Sequence, residues 1–175
     1  MSARLPDAPD DGPVADLVRA RRGGELSALD RLLLHSPPVA EGWNSLLGAL
    51  RQHTSLPADL TELVVLRVAV LNDAEFEWVA HEPVGRRAGL TEEQLAALRT
   101  PDPSAAFTGR QALALRATDA STQDVVIGED LFAELRSAFD ERELVELLVT
   151  IGGYAMVSRF LVALQVPPPA GEVAG

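Results

Sequence analysis

Residues 57–71 restrict the fold more than any other part of the chain. The segment opens with Pro-Ala-Asp, and both a proline and an early acid favour the first turn of a helix. From Leu63 to Leu71 every residue except Arg67 is apolar, so a helix here has an apolar side chain on every face. Such a helix must be central, and the rest of the chain must supply the elements that cover it.

The remaining segments also have helical patterns. Apolar residues recur at helical spacing over 39–53, and residues 91–94 (Thr-Glu-Glu-Gln) match a capping box. Gly89 is expected to end a helix over 75–88, and Asp140 to begin a long helix that stops before the prolines at 167–169. Further helices are expected over residues 13–22, 28–35, 104–118 and 129–138.

No segment alternates polar and apolar residues between turn signals, so no sheet is expected. The triplet 125–127 (Val-Val-Ile) is expected to be a loop, because an isolated strand would have no partner. We therefore predict an all-α fold, a compact single-domain bundle of about eight helices. Residues 1–12 are expected to be a flexible lead-in, 13–166 the helical domain and 167–175 a proline-rich tail.

Composition excludes several classes of function. The formal net charge of −11 disfavours nucleic acid and anionic membrane surfaces as partners. All 15 basic residues are arginine, which excludes lysine Schiff-base chemistry, and the absence of cysteine excludes thiol chemistry and disulfides. Residues 1–12 do not resemble a secretory signal, and a cytoplasmic location is expected. The apolar stretch 144–164 contains Glu146 and Arg159, so we predict a buried helix or helix pair there and not a membrane span.

Two charged residues on the buried segment need an explanation, because an unpaired charge in a core is costly. Glu62 lies near the start of the helix, where an acid can complement the helix dipole or serve in a site. For Arg67 an internal ion pair is the favoured interpretation, and contact with a substrate is the alternative.

Glu77 and His81 are four residues apart, so they are neighbours on one helix face. A carboxylate beside an imidazole fixes its tautomer, as in a general acid/base, whereas the simpler interpretation is a surface pair with Trp78 as a core anchor. His35 and His53 lie at helix ends, where structural roles are expected. Neither a metal nor a cofactor is predicted, because the second histidine of H-E-x-x-H and a glycine-rich phosphate loop are both missing.

Several spaced segments resemble the carboxymuconolactone decarboxylase-like family, which includes the alkylhydroperoxidase D-type proteins. They are residues 62–69 (Glu-Leu-Val-Val-Leu-Arg-Val-Ala), 77–81 (Glu-Trp-Val-Ala-His) and 88–91 (Ala-Gly-Leu-Thr), with residues 143–147, 153–154 and 159–161 towards the end of the chain. The likeness spans residues 26–165. It implies an alkylhydroperoxidase D-like helical fold that assembles as a homotrimer or hexamer, with sites buried near subunit contacts.

The resemblance also separates two activities. In the peroxidase branch a glutamate precedes a C-x-x-C motif whose second cysteine lies four residues before a histidine. Glu62 and His81 match that pattern, but Ala74 and Glu77 stand at the cysteine positions, so peroxidase activity is not expected. The decarboxylase branch lacks the cysteines, has a glutamate four residues before the histidine, and works without metal or organic cofactor.

The preferred hypothesis is a cofactor-independent lyase or isomerase acting on a small lactone-like or aromatic molecule. His81 would be the general acid/base, Glu77 its orienting partner and Glu62 a second carboxylate. Arg67 would hold a substrate carboxylate or a developing enolate, with Trp78 and Phe76 as the apolar wall. These candidate residues are Glu62, Arg67, Phe76, Glu77, Trp78 and His81.

The alternative hypothesis is a non-catalytic helical oligomer in which the same residues form a structural ion-pair cluster. The two hypotheses differ in the expected geometry of Glu62 and His81. Proton transfer predicts an approach within about one bridging water beside an open pocket. A structural role predicts a tight pair with no cavity beside it.

Overall fold

The computed structural model describes residues 3–169, and over that span the chain forms nine α-helices, one short 3-10 helix and no β-strand. This confirms the predicted all-α class. The helices are α1 (Pro13–Arg22), α2 (Ala28–Leu33), α3 (Pro37–Gln52), α4 (Ala58–Leu71), α5 (Glu75–Ala88), α6 (Glu92–Leu98), α7 (Gly109–Gln123), α8 (Glu129–Ala138) and α9 (Glu141–Leu164). Residues 167–169 are irregular, and the rest of the expected tail lies outside the described residues.

The described residues divide into two compact units, one of residues 3–54 and 163–169 and the other of residues 55–162. In the first unit, α1 and α2 pack on α3. Gly23 ends α1 in the left-handed conformation with φ of 85°, which glycine adopts without strain. Ser27 and Asp30 form a capping box at the start of α2.

Residues 3–12 are irregular, and hydrogen bonds join them to the rest of their unit, while the flexible lead-in stays a prediction. The backbone N–H of Arg4 donates to the carbonyl of Leu164 over 2.8 Å. The His35 Nε2 atom lies 2.8 Å from the carbonyl oxygen of Pro6. These hydrogen bonds hold the segment against its own unit, and residues distant in the sequence supply them, so local composition gives no sign of them.

In the second unit, α4 is central and packs against α5, α6 and α7. Its residues from Leu63 to Ala69 are all buried, as the apolar pattern predicts. The α5 helix comes close to α4 at Gly85, where a Cβ atom would lie 3.0 Å from Cδ1 of Leu66. Gly89, in the left-handed conformation with φ of 110°, ends α5 as expected.

The last helix, α9, is one continuous helix. Asp140 and Glu143 cap its start reciprocally, with backbone to side-chain distances of 2.8 and 3.1 Å. One turn further on, Glu146 Oε2 accepts hydrogen bonds from the backbone and the hydroxyl of Ser55, each over 2.7 Å. Among the described helices, α9 is the one that is long and apolar enough to cross a membrane, and half of its apolar window is buried in the fold.

The region around residues 104–118 differs from the prediction of one helix. A 3-10 turn occupies Ser104–Ala106, Phe107 is extended and buried, and α7 begins only at Gly109. The extended backbone turns the Phe107 ring into the core, and this tertiary contact overrides the local helical preference. The triplet 125–127 is a loop as predicted, with Val125 in the left-handed conformation.

The buried cation of α4 joins three helices. The Arg67 guanidinium pairs with the Asp119 carboxylate of α7 through two hydrogen bonds of 2.6 and 2.9 Å. It also donates to the carbonyls of Leu98, Thr100 and Pro101, at the end of α6, over 2.9, 2.8 and 3.3 Å. All five N–H donors of the guanidinium are thereby used.

Replacing Arg67 by methionine is therefore expected to be strongly destabilising. The Arg67→Met variant leaves the Asp119 carboxylate and three carbonyls without their donor, and we expect a loss of about 3–5 kcal/mol in the free energy of unfolding. Urea denaturation followed by circular dichroism measures it. The control is Arg116→Met, which breaks the half-exposed pair with Glu134 and should cost less than about 1 kcal/mol. Equal losses in the two variants would contradict this account.

Candidate functional site

Three ionisable side chains from α4 and α5 meet inside the second unit. The short connection at residues 72–74 folds α5 back along α4. Glu62 lies about three helical turns before this connection, and His81 about two turns after it, so the two come side by side. Glu77 is one turn before His81 on the same face of α5.

The imidazole of His81 lies between two carboxylates. Its Nδ1 atom is 2.7 Å from Glu62 Oε2, the length of a strong charge-assisted hydrogen bond. Its Nε2 atom is 3.5 Å from Glu77 Oε2, which is at the outer limit for a hydrogen bond. The side chains of His81 and Glu77 are each 4% exposed, and that of Glu62 is 13% exposed. With an ionised Glu62 carboxylate, which only accepts hydrogen bonds, this contact requires the imidazole proton to be on Nδ1.

Tyr154 of α9 completes the surroundings of the imidazole. Its ring meets the His81 ring at a centroid distance of 5.3 Å and an interplanar angle of 87°. Tyr154 is not among the site residues predicted from the sequence, where it contributes only to the family resemblance. One signal could have found it, because Thr150, Tyr154 and Ser158 place three hydroxyl side chains at four-residue spacing in a strongly apolar helix. All three are buried, on one face of α9.

The structure does not bring Arg67 to this cluster. Arg67 is five residues after Glu62, which places it about 140° around α4. Its guanidinium is used by Asp119 and by the carbonyls that follow α6. The geometry corresponds to an internal ion pair, so we do not retain Arg67 as a substrate-binding residue.

The two aromatic candidates are also directed elsewhere. The Arg99 guanidinium lies over the Trp78 ring, 4.0 Å from its centroid, and this stacked pair helps to line a cleft of about 180 Å³. Phe76 is buried, and it lies five residues before His81, about 140° around α5. Neither ring therefore forms the expected apolar wall beside the imidazole within this chain.

The Trp78 cleft is not lined by the ionisable cluster. Its lining residues are Ala69, Val70, Asp73, Ala74, Glu75, Trp78 and Arg99. A second cleft, of about 450 Å³, lies in the first unit beside residues 3–7. The His81–Glu62 contact is therefore a direct pair that neither of these two clefts reaches. Within residues 3–169 no group of three or more histidine, aspartate or glutamate side chains is arranged to hold a metal ion.

The central part of the chain matches the model of one protein family. The model of the carboxymuconolactone decarboxylase family matches residues 37–120, from α3 into α7. The match contains Glu62, Glu77 and His81, the three residues of the cluster. A search of curated protein sequences finds no match.

Solved structures share the fold over nearly the whole chain. A peroxidase-related protein from Silicibacter sp. TM1040 has a TM-score of 0.80 and 19% identity, covering 97% of this chain and 93% of that one. An alkylhydroperoxidase AhpD core protein from Ralstonia eutropha JMP134 has a TM-score of 0.80 and 17% identity, covering 97% and 94%. The debrominase Bmp8 has a TM-score of 0.76 and 15% identity, covering 97% and 92%.

Identities this low establish a common fold and nothing further about activity. The family model and the shared architecture agree with each other, and the sequence contains no cysteine. The cysteine-free chain therefore matches the carboxymuconolactone decarboxylase family model over residues 37–120, and it has the helical fold of the alkylhydroperoxidase D-like solved structures.

Proposed function

We propose that this protein is an acid/base lyase or isomerase that acts on a small organic substrate. His81 moves a proton to or from that substrate, without thiol chemistry or a cofactor. The observation that carries the proposal is the placement of one imidazole between the carboxylates of Glu62 and Glu77 in the protein interior. Ionisable groups are costly to bury, so a cluster of three in an apolar helix pair is a candidate site on physical grounds.

The geometry gives each residue a separate role. Glu62 holds the Nδ1 proton, which leaves Nε2 as the nitrogen that takes a proton from the substrate or returns one to it. As the imidazole gains a proton, both carboxylates stabilise the positive charge. Glu77, 3.5 Å from Nε2, orients the protonated ring. Acid/base assistance of this kind typically contributes about 10²–10⁴-fold to a rate.

The substrate proposed is small and carries little negative charge. Two acids, Glu62 and Glu77, flank the imidazole, and the one buried arginine of the segment, Arg67, is occupied by Asp119. A substrate with two carboxylates would therefore be repelled. A lactone or an aromatic ring fits this setting better. A cysteine-to-alanine variant of the debrominase Bmp8 is known in complex with 2,3,4-tribromopyrrole, a small aromatic molecule, which supports the same size class.

The second candidate is a structural role for the cluster. The 2.7 Å contact between His81 and Glu62 is direct, and neither of the two clefts described above reaches it. Both facts favour a buried ion pair that stabilises a non-catalytic helical oligomer. Breaking such a pair by removing one partner costs about 3–5 kcal/mol, whereas removing a catalytic group often costs little stability or even raises it.

Removal of the imidazole separates the two candidates. In His81→Ala we expect a 10²–10⁴-fold loss of turnover with the fold and the assembly retained. The assay incubates the protein with a panel of lactones, β-keto acids and aromatic carboxylic acids in D2O and follows deuterium incorporation and carbon dioxide release by NMR. The matched control is His53→Ala, because His53 is an exposed histidine at the end of α3 and should be dispensable.

Two results would contradict the enzymatic proposal. One is a His81→Ala variant that turns over as fast as the wild type. The other is a wild type that is inactive on the whole panel, combined with a loss of about 3–5 kcal/mol in the free energy of unfolding of His81→Ala. A loss of that size is expected for a structural pair.

Self-association is part of the proposal, and α9 offers a surface for it. Between residues 144 and 158 the exposed positions of α9 are Val145, Val149, Gly152 and Met156, and none of them is charged. Their spacing of four, three and four residues is that of a helix–helix seam. No atom lies within 4 Å of a Cβ built at Gly152, so a partner helix can approach closely there. Because each copy of the chain has a net charge of −11, two copies repel each other least where their contact surface is uncharged.

A charge placed in this seam is expected to break the assembly. The Val149→Glu variant should run at a smaller mass than the wild type in size-exclusion chromatography with light scattering, because the carboxylate would be buried unpaired between helices. Val126→Glu, at an exposed valine in the loop before α8, is the control and should leave the mass unchanged. A monomeric wild type at the same concentration would rule out self-association through α9.

A further inference from the structure

We propose that the cleft beside Trp78 is a binding site for a small monocarboxylate, which the guanidinium of Arg99 holds. The cleft has a volume of about 180 Å³ and lies where the connection between α4 and α5 meets the residue that follows α6. The side chains of Glu62, Glu77 and His81 do not line it. The inference concerns a second site and is therefore independent of the proton-transfer function proposed above.

Arg99 is fixed at both ends before any ligand binds. Its backbone directly follows α6, and the carbonyls on either side of it, those of Leu98 and Thr100, accept hydrogen bonds from the buried Arg67 over 2.9 and 2.8 Å. Its guanidinium lies over the Trp78 ring, 4.0 Å from the centroid, and Trp78 is 5% exposed. A cation over an indole face is a favourable contact. The charged group is thus positioned in advance, so a ligand loses little free energy in ordering it.

The N–H edge of the Arg99 guanidinium is underused. Its one acceptor among the described residues is Glu75, whose carboxylate oxygens are 3.4 and 3.5 Å from Nη2. A charged pair in good geometry is about 2.7–2.9 Å apart, and this pair is also half exposed, so it contributes little. The Nε and Nη1 atoms of Arg99 donate no hydrogen bond within residues 3–169. A guanidinium that is stacked through its face keeps this edge for a carboxylate, to which it donates two parallel hydrogen bonds.

The cleft sets the size and the charge of the ligand. Ala69, Val70 and Ala74 give it an apolar wall. Because an apolar cavity of about 150 Å³ accommodates benzene, a cleft of about 180 Å³ admits one ring beside the guanidinium. Arg99 is the one cation among the lining residues, which also include two acids, so a second carboxylate on the ligand would have no cation to pair with. The ligand class is therefore a single carboxylate on a compact apolar group.

The start of α5 favours an anion in the cleft. Ala74 precedes the helix, lines the cleft and has no side-chain acceptor with which to cap the first turn. The positive end of the helix dipole at the cleft wall is therefore not capped by a side chain. The side chain of Glu75 is 59% exposed, so its carboxylate can turn out into solvent. In the bound state the ligand carboxylate replaces Glu75 as the acceptor of Arg99.

The test is a titration of the 15N-labelled full chain with sodium benzoate, followed through the indole N–H signals of its two tryptophans. Benzoate should shift the Trp78 signal to saturation and leave that of Trp43, in α3 of the first unit, unchanged. Benzyl alcohol has the ring without the carboxylate. We expect its dissociation constant to be at least about tenfold higher, because the charge-assisted hydrogen bonds are lost. Benzylammonium, the cationic analogue, should leave both signals in place.

Two variants test the side chains of the cleft. Arg99→Gln should raise the benzoate dissociation constant at least about tenfold, because it removes the charged donor. Its matched control is Arg87→Gln, at an exposed arginine in the last turn of α5, which makes the same change in net charge and should leave the constant unchanged. Glu75→Gln should lower the constant about two- to fivefold, because the competing acceptor and its charge are removed.

Each outcome decides the proposal. The absence of a saturable Trp78 shift overturns it, and so does an equal shift of Trp43, which would indicate nonspecific binding. Equal affinity for benzyl alcohol overturns the role of the carboxylate, and binding of benzylammonium in place of benzoate overturns the proposal by assigning the cleft to cations. Equal losses in Arg99→Gln and Arg87→Gln also overturn it, because they would reduce the effect to net charge. If Arg99→Gln does not fold, Glu75→Gln still decides, since weaker benzoate binding in that variant contradicts the proposal.

Discussion

Two charged side chains on one buried helix, Glu62 and Arg67 of α4, impose the arrangement of the second unit. A charge inside a protein must be paired and hydrogen-bonded, and α4 meets this demand in two directions. On one side, Arg67 uses Asp119 and the carbonyls at the end of α6, which fixes α6 and α7 around α4. On another side, Glu62 pairs with His81, which fixes α5. The pairing of Arg67 uses every N–H donor of its guanidinium. The pairing of Glu62 involves the His81 imidazole, a group that can gain or lose a proton.

The same helices that satisfy these charges also provide the elements of a site. The α4 and α5 pair supplies the carboxylates and the imidazole, and α9 supplies Tyr154 from its buried face. The opposite face of α9 carries the uncharged exposed seam that includes Val149 and Met156. Under the proposed self-association, α9 would face the imidazole on one side and a second copy of the chain on the other.

Local signals in the sequence account for much of the fold. The capping box at residues 91–94, the glycine that ends α5 and the all-apolar pattern of α4 each predicted what the structure shows, because each acts within a few residues. The spacing of Glu77 and His81 likewise predicted their shared face. The extended Phe107, which divides the predicted helix at 104–118, could not be foreseen, because its burial depends on residues distant in the chain. The partner of Arg67, 52 residues away, and the ring of Tyr154 were hidden for the same reason.

In the proposed reaction the His81 imidazole keeps its proton on Nδ1 and transfers a second proton through Nε2. Neutron diffraction from a deuterated crystal of the full assembly tests this claim most directly, because it locates the proton and shows what surrounds Nε2. We expect deuterium on Nδ1, in the 2.7 Å bond to Glu62, and an opening beside Nε2 large enough for a small organic molecule. Deuterium on Nε2 towards Glu77, or an Nε2 atom enclosed by side chains on all sides in the assembly, would contradict it and leave the cluster as a structural ion pair.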